Sequence, residues 1–332
     1  ALPISAIQLK KIPGVSIFRS GLWKPRTHPE TFEGIEAKGF PWLRKVKEMT
    51  GFLVAVEVGH PNHIKAALDN DIDILWIGAR TIVSPFVMND IANILKDSDI
   101  PVMIKNPVYP DIELWIGAIE RINNAGVKKI IAIHRGFHSY GKSYLRNDPL
   151  WEVPIELKRR YPHLPLICDP SHISGKREYI EVISQQALDL GMEGLMIESH
   201  INPENALTDK HQQVDPAELE QILKGLVTRK QGNYIQDHPY LNDLREDIEQ
   251  IDEDLLKLLA KRFEMVESIA AFKRKHNLSV LQLKRWEETL ERWIKKGESM
   301  GMDQVFIKNF IEQIHKESIR RQSIPPDKTE KG

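Results

Sequence analysis

Across residues 15–228, short apolar runs alternate with segments whose apolar positions recur every three to four residues. The runs are VSIFRSG (15–21), FLVAVEV (52–58), DILWIGA (73–79), PVMIKN (101–106), KIIAIHR (129–135), PLICDPS (165–171) and GLMIESH (194–200). Short apolar runs bounded by polar residues predict buried strands. The segments between them, such as NHIKAALDN and DIELWIGAIERINNAG, predict helices. Regular alternation of the two means parallel strands joined by crossover helices.

The placement of polar residues sharpens this architecture. Nearly every run ends, on its C-terminal side, in a charged or hydrogen-bonding group: Lys24 and Arg26 just past the first, then Glu57, Arg80, Lys105, Arg135, Asp169 with His172, and Glu198 with His200. In a (β/α)8 barrel the strand C-termini converge on one mouth that holds the chemistry. The fold class predicted is therefore α/β, a (β/α)8 TIM-type barrel, with an open doubly wound sheet as the rival. Seven strands are found where a closed barrel needs eight, and only ALPISAIQLKKIPG precedes the first. LPISAI offers a stub of strand at most, and QLKKIPG reads as the end of a helix. The expected barrel is N-terminally truncated and lacks its first strand.

Beyond residue 228 the pattern is purely helical. Leu244, Ile248, Ile251, Leu255, Leu258, Val266 and Ile269 mark one long helix ending near Lys275. A second helix is expected from Leu283 to Lys296 and a third from Asp303 to Gln322, with Ile307, Ile311 and Ile314 on one face. The predicted organisation is a barrel over 1–228, a linker over 229–242, a three-helix domain over 243–323 and a disordered tail over 324–332.

Length and composition agree with two domains, since 332 residues exceed what a single core usually holds. A net charge of −1 argues against a nucleic-acid binder that relies on overall positive charge. No apolar stretch is long enough to span a bilayer and no leader is evident, so no membrane partner is expected. Cys168 is the sole cysteine, which makes an intrachain disulfide impossible and a reducing, cytoplasmic setting the expectation.

Five cations at the predicted mouth, Lys24, Arg26, Arg80, Lys105 and Arg135, suit substrates carrying phosphate and carboxylate groups. His172, Glu198 and Asp209 supply a nitrogen and two carboxylates, a mix suited to a divalent metal acting as Lewis acid on a carbonyl. Singly, a histidine at a strand end is more often structural and a lysine merely solvated. Their gathering at one rim favours the functional reading. On the long helix, Arg262 and Lys273 interrupt the apolar stripe and lie only about 20° apart, so both point into the bundle, where a buried cation calls for an anion. Arg245 lies about 100° away around the same helix, which suits it to the pocket of a dimer partner. Ser318 and Gln322 continue the stripe of the third helix with hydrogen-bonding groups. The rival is an interaction module whose cations snorkel outward.

FRSGLWKPRTHP, WIGAR, PVMIKNP, IHRGF, ICDPSH, GLMIESH and ALTDKHQQV together resemble 3-deoxy-D-arabino-heptulosonate 7-phosphate (DAHP) synthase, in the family's order across residues 15–228. The resemblance implies condensation of phosphoenolpyruvate with erythrose 4-phosphate on a barrel that uses manganese, iron, zinc or cobalt. Arg80, Lys105 and Arg135 would hold phosphoenolpyruvate, and Lys24, Arg26 and Thr27 would bind erythrose 4-phosphate. His172, Glu198 and Asp209 would be metal ligands, with Glu57 near the attacking water. The family's fourth ligand, a cysteine in an AGPCS motif, has no counterpart in this sequence.

LREDIEQIDEDLLKLLAKRFEMVESIAAFKRK, LKRWEETLERW and HKESIRRQ look like the all-α chorismate mutase family, across residues 240–323. This second resemblance implies rearrangement of chorismate to prephenate in a homodimer formed through the helical domain. Arg262, Arg285 and the partner copy's equivalent of Arg245 would hold the two carboxylates. Lys273 and Gln322 would donate to the ether oxygen, supported by Ser318. Gln282 and Trp286 stand where that family often has an Asp and a Glu. The function predicted is a bifunctional enzyme of aromatic amino-acid biosynthesis; the alternative is a mutase carrying a metal-poor inactive or regulatory barrel. A sibling synthase using arabinose 5-phosphate is disfavoured by KPRT, where it typically has KANR, and by the mutase domain.

Overall fold

Each apolar run forms a strand, and the seven strands pair in parallel in the order of the chain. The computed structural model describes residues 2–25, 32–138, 144–229 and 239–323, and the chain divides into two units, residues 1–231 and 232–332. In the first unit the order is α1 (Leu2–Leu9), β1 (Ile17–Ser20), α2 (Phe40–Thr50), β2 (Leu53–Val58), α3 (Pro61–Leu68), β3 (Ile74–Ile77), α4 (Pro85–Ile94), β4 (Val102–Lys105) and α5 (Ile112–Asn124). It continues through β5 (Ile130–His134), α6 (Glu152–Arg160), β6 (Leu166–Cys168), α7 (Pro170–Ser174), α8 (Ile180–Asp189), β7 (Gly194–Leu195) and α9 (Pro216–Gly225).

Both faces of this sheet are buried, which is why its strands read as continuous apolar runs rather than alternating ones. Val54, Val56, Leu75, Ile77, Val102 and Ile104 face the helices in one large core. Ala55, Ile74, Trp76, Met103, Ile133 and Met196, with Ile17, Ile131 and Ile167 against them, form a separate inner layer. Among the described residues β1 pairs only with β2, and β7 only with β6. A cavity of about 390 Å³ is lined by both of these edges, Ile17 and Arg19 on one side and Gly194 and Leu195 on the other. Among the described residues the sheet is thus a parallel, TIM-like barrel of seven strands that does not close.

Two sequence expectations need correction. LPISAI is not a strand stub: it lies in α1, where Ser5, Ala6 and Leu9 are buried at helical spacing. PLICDPS is strand only to Cys168, because Asp169 caps α7 by accepting from the His172 N–H, and Pro170 occupies the first helical turn.

The second unit holds α10 (Pro239–Lys275), α11 (Leu283–Glu298) and α12 (Gln304–Ser323). At 37 residues α10 is about 55 Å long. Its C-terminal half packs through Val266 and Ala270, while Ile307, Ile311 and Ile314 bury the inner face of α12. Gly297 lets α11 approach α12, since a Cβ there would overlap Ile307. The N-terminal half of α10 is different: Ile248, Ile251, Leu255 and Leu258 are each 49–65% exposed, an apolar stripe that no described residue of its own unit covers. The expected linker, 229–242, is corrected at its end, since α10 already begins at Pro239; its residues 230–238 and the expected tail 324–332 lie outside the described residues. No described helix is long and apolar enough to cross a membrane.

His134, at the end of β5, is fully buried against Phe137 and Trp151, and neither ring nitrogen makes a well-aligned hydrogen bond, although the Pro149 carbonyl lies within reach. Burial lowers its pKa to about 3. The unfolded chain therefore binds a proton between about pH 6.5 and 3 that the folded chain excludes, so stability is full above this window and falls as pH drops through it. Urea midpoints between pH 7 and 4 should show this loss, up to about 1.4 kcal/mol per pH unit from this residue, and His134→Phe should flatten it. Identical slopes in the two proteins would mean the imidazole is not held neutral.

Candidate active sites

Because side chains alternate along a strand, each inner position is followed two residues later by another. The inward columns are Ile17–Arg19, Ala55–Glu57, Met103–Lys105, Ile133–Arg135, Ile167–Asp169 and Met196–Glu198. Each begins apolar and ends charged at the C-terminal mouth. The column of β3 runs Trp76–Gly78–Arg80, and its glycine leaves room for a neighbour: a Cβ on Gly78 would overlap Glu57 Oε1.

Asp169 is the centre of the mouth. Its Oδ2 lies 2.7 Å from Lys105 Nζ and 2.8 Å from His172 Nδ1, the latter out of hydrogen-bond alignment. Its Oδ1 accepts from the His172 backbone N–H at 3.1 Å. Burial alone would raise the Asp169 carboxyl, but His172, Lys105 and Arg19 hold it well below the usual range. Burial likewise lowers the His172 pKa, against the pull of Asp169. The His172 carbonyl accepts from Asn147 Nδ2 at 2.6 Å, and Asn147 Oδ1 accepts from Arg135 Nη1 at 3.0 Å. Burial brings Arg135 down to about 10.

Glu198 leaves β7 with its N–H donated to Ser171 Oγ at 3.0 Å. Arg19 Nη2 lies 2.6 Å from Glu198 Oε1, and Gln212 Nε2 donates to Oε2 at 2.7 Å. Burial would raise this carboxyl, but His172 and Arg19 bring it to about 2. Glu57 has the opposite outcome: burial raises its pKa despite Lys105, Arg19, Lys24 and Arg80. Lys24 Nζ donates to Thr208 Oγ1 at 2.6 Å. A further cavity of about 330 Å³ lies beside it, lined by Trp23, Lys24, Glu57, His63 and Thr81.

The mouth therefore brings together Lys105, His172, Glu57, Arg135 and Glu198, while Arg80 is exposed at its rim and Arg26 and Thr27 lie outside the described residues. Asp209 is held instead by Arg146, whose Nη1 donates to its Oδ1 at 2.9 Å. His172, Glu198 and Asp209 do not fit a metal as arranged. Among the described residues no three His, Cys, Asp or Glu side chains gather to hold one, and both Glu198 oxygens are engaged by protein donors. His200 turns aside, with Nδ1 against the Asn202 backbone. Sequence reasoning missed Arg19, Arg146 and Gln212; for Arg19 a signal existed, a cation at the same strand parity as inward Ile17.

In the helical unit, Arg262 Nη1 donates to Ser318 Oγ at 2.8 Å, and Gln322 Nε2 bonds the Ser318 carbonyl at 3.3 Å. Gln322 Oε1 is buried with no partner. Lys273 Nζ donates to the Val280 carbonyl at 2.6 Å. His315 stacks on Trp286 with ring centroids 3.8 Å apart. Burial lowers the pKa of His315, as do Arg262 and Lys273, so the interior is rich in cationic and neutral donors. Arg262, Ser318 and Gln322 are thus together, whereas Arg285 and Arg245 are exposed.

The chain is thus a two-part protein, a parallel α/β barrel with a cation-rich mouth and a helical bundle with inward donors. Residues 5–232 match the DAHP synthetase I family, to which this chain belongs, and residues 244–323 match chorismate mutase type II. The chain is 34% identical to phospho-2-dehydro-3-deoxyheptonate aldolase of Thermotoga maritima over 203 residues, 61% of this chain and 58% of that protein. It is 29% identical to 2-dehydro-3-deoxyphosphooctonate aldolase of Geobacter sp. strain M21 over 234 residues, 64% and 80% of the two chains. The crystal structure of the Thermotoga maritima phospho-2-dehydro-3-deoxyheptonate aldolase superposes with a TM-score of 0.60 at 30% identity, covering 67% of this chain and 63% of that one. This chain accordingly spans less than two thirds of the length of the Thermotoga protein.

Asp169→Ala should strand the Lys105 ammonium in a buried site and remove the cap of α7. We expect a loss of about 3–5 kcal/mol in urea unfolding of the first unit. A loss under about 1 kcal/mol would show that the Lys105 pair does not organise the mouth.

Proposed function

We propose that residues 1–228 condense phosphoenolpyruvate with erythrose 4-phosphate, and that residues 243–323 rearrange chorismate to prephenate. The observation that carries the first part is the set of inward columns ending in Arg19, Glu57, Lys105, Arg135, Asp169 and Glu198 at one mouth. Arg80, Lys105 and Arg135 hold the phosphate and carboxylate of phosphoenolpyruvate, because guanidinium and ammonium groups at low hydration bind such anions strongly. Lys24, with Arg26 and Thr27, receives erythrose 4-phosphate beside the cavity that Lys24 and Glu57 share. Glu57, whose raised pKa suits a proton acceptor, takes a proton from the attacking water. The divalent ion that the resemblance implies, manganese, iron, zinc or cobalt, meets no converged donor set in this arrangement, and no step is assigned to it.

The second reaction is unimolecular and needs a held conformer and stabilised charge rather than a base. Arg262, Arg285 and the partner copy's equivalent of Arg245 bind the two carboxylates. Lys273 and Gln322 donate to the ether oxygen, and Ser318 orients Arg262 through their 2.8 Å hydrogen bond. The exposed stripe Ile248, Ile251, Leu255 and Leu258 supports a homodimer through the helical domain. The buried, unpaired thiol of Cys168 is in keeping with a cytoplasmic setting.

The test is phosphoenolpyruvate consumption with erythrose 4-phosphate or arabinose 5-phosphate, with manganese added, alongside chorismate loss in the same preparation. Turnover with erythrose 4-phosphate and of chorismate is expected. Preference for arabinose 5-phosphate would reassign the barrel to the sibling reaction, and chorismate loss alone would leave only the mutase. Arg262→Ala should lower kcat/KM for chorismate about 100-fold and leave phosphoenolpyruvate consumption unchanged. In sedimentation, the chain should run as two copies and Ile251→Glu as one; an unchanged mass would remove the stripe from the interface.

A further inference from the structure

Two arginines hold the two carboxylates that the resemblance assigns to a metal. Arg19 Nη2 and Glu198 Oε1 are 2.6 Å apart, with both side chains largely buried at 19% and 11% exposure. Gln212 links this pair to the second one: its Nε2 donates to Glu198 Oε2 at 2.7 Å, and its Oε1 accepts from Arg146 Nη1 at 2.6 Å. The same Arg146 nitrogen donates to Asp209 Oδ1 at 2.9 Å. The run from Arg19 through Glu198, Gln212 and Arg146 to Asp209 is continuous, and its donors and acceptors fix the orientation of the Gln212 amide.

Arg19 is also held in place. It belongs to an inward column of β1, and its guanidinium lies over the Trp76 ring with 5.3 Å to the centroid. A divalent ion approaching Glu198 would have to break a charge-assisted hydrogen bond and would then sit beside a cation that cannot easily leave. At such distances in a poorly hydrated site, repulsion between like charges is strong.

We propose that Arg19 is an internal cation that caps Glu198, so that a divalent ion engages this carboxylate only by displacing the guanidinium, with Gln212 coupling that displacement to the Arg146–Asp209 pair. The inference rests on the synthase reading only for the identity of the competing ion. It differs from a preformed metal cradle, in which these carboxylates would await the ion with free oxygens.

Manganese binding to the intact chain without substrates, followed by the electron paramagnetic resonance signal of the free ion, tests the cap directly. Arg19→Gln should bind manganese at least about tenfold more tightly than the parent. Arg19→Lys, which keeps the charge, should stay within about threefold of it. Arg146→Gln should shift affinity in the same direction as Arg19→Gln, and it decides the matter if circular dichroism shows Arg19→Gln to be unfolded. Equal or weaker binding by the neutral variants, or no binding by any of them, overturns the cap. Failure of the synthase reading shows separately, as absence of phosphoenolpyruvate consumption by the parent chain.

Discussion

The buried contact between Lys105 and Asp169 is the interaction on which the rest of the mouth depends. An ammonium and a carboxylate taken out of water together are tolerable only if the remaining hydrogen-bonding capacity is met. Asp169 meets it by serving two elements at once: its backbone N–H bonds the His134 carbonyl, which fixes β6 against β5, and its Oδ1 starts α7. That one-turn helix then sets two further groups, Ser171 under the Glu198 N–H and the His172 carbonyl under Asn147, which in turn steadies Arg135. The last three strand ends are thereby tied to the fourth through a single carboxylate.

The helical unit is governed by a different constraint. Its apolar side chains outnumber the surfaces available to bury them, and the uncovered ones lie on the N-terminal half of α10. A helix of this length exceeds what its two shorter neighbours can pack against. The donors on its buried half are held by weak local partners, a serine hydroxyl for Arg262 and a backbone carbonyl for Lys273, neither of which neutralises a cation. Among the described residues these donors therefore keep their positive charge unneutralised, which suits the dianion proposed for them.

Much of this was legible in the sequence because parallel strands and long helices write their periods plainly. All seven strand runs stand where the apolar stretches fall, and the polar residue closing most of them is what reaches the mouth. LPISAI misled because a short apolar segment without turn residues carries no decisive period. Arg19 was passed over because it lies inside a run rather than at its end; only its parity with Ile17 marks it as inward. Arg146 and Gln212 come from loops and a short turn, where no periodicity constrains direction. The failure of His172, Glu198 and Asp209 to converge was likewise out of reach, since motif order places residues on strands but says nothing of which cations will hold them.

Charge balance explains why the carboxylates are held this way. Arg19, Lys24, Lys105 and Arg135 stand at the mouth against Asp169, Glu198 and Glu57, the last with a carboxyl pKa raised by burial. The resident groups are therefore net positive, and each ionised carboxylate is drawn to the nearest guanidinium or ammonium. On the synthase reading proposed above, an incoming phosphorylated carboxylic acid would bring several negative charges and compete for the same cations. As it draws cations toward itself, it weakens their hold on Glu198 and lowers the repulsion that a divalent ion would meet. On the reading proposed above, anion and divalent ion would bind cooperatively, because both act on the position of the Arg19 guanidinium.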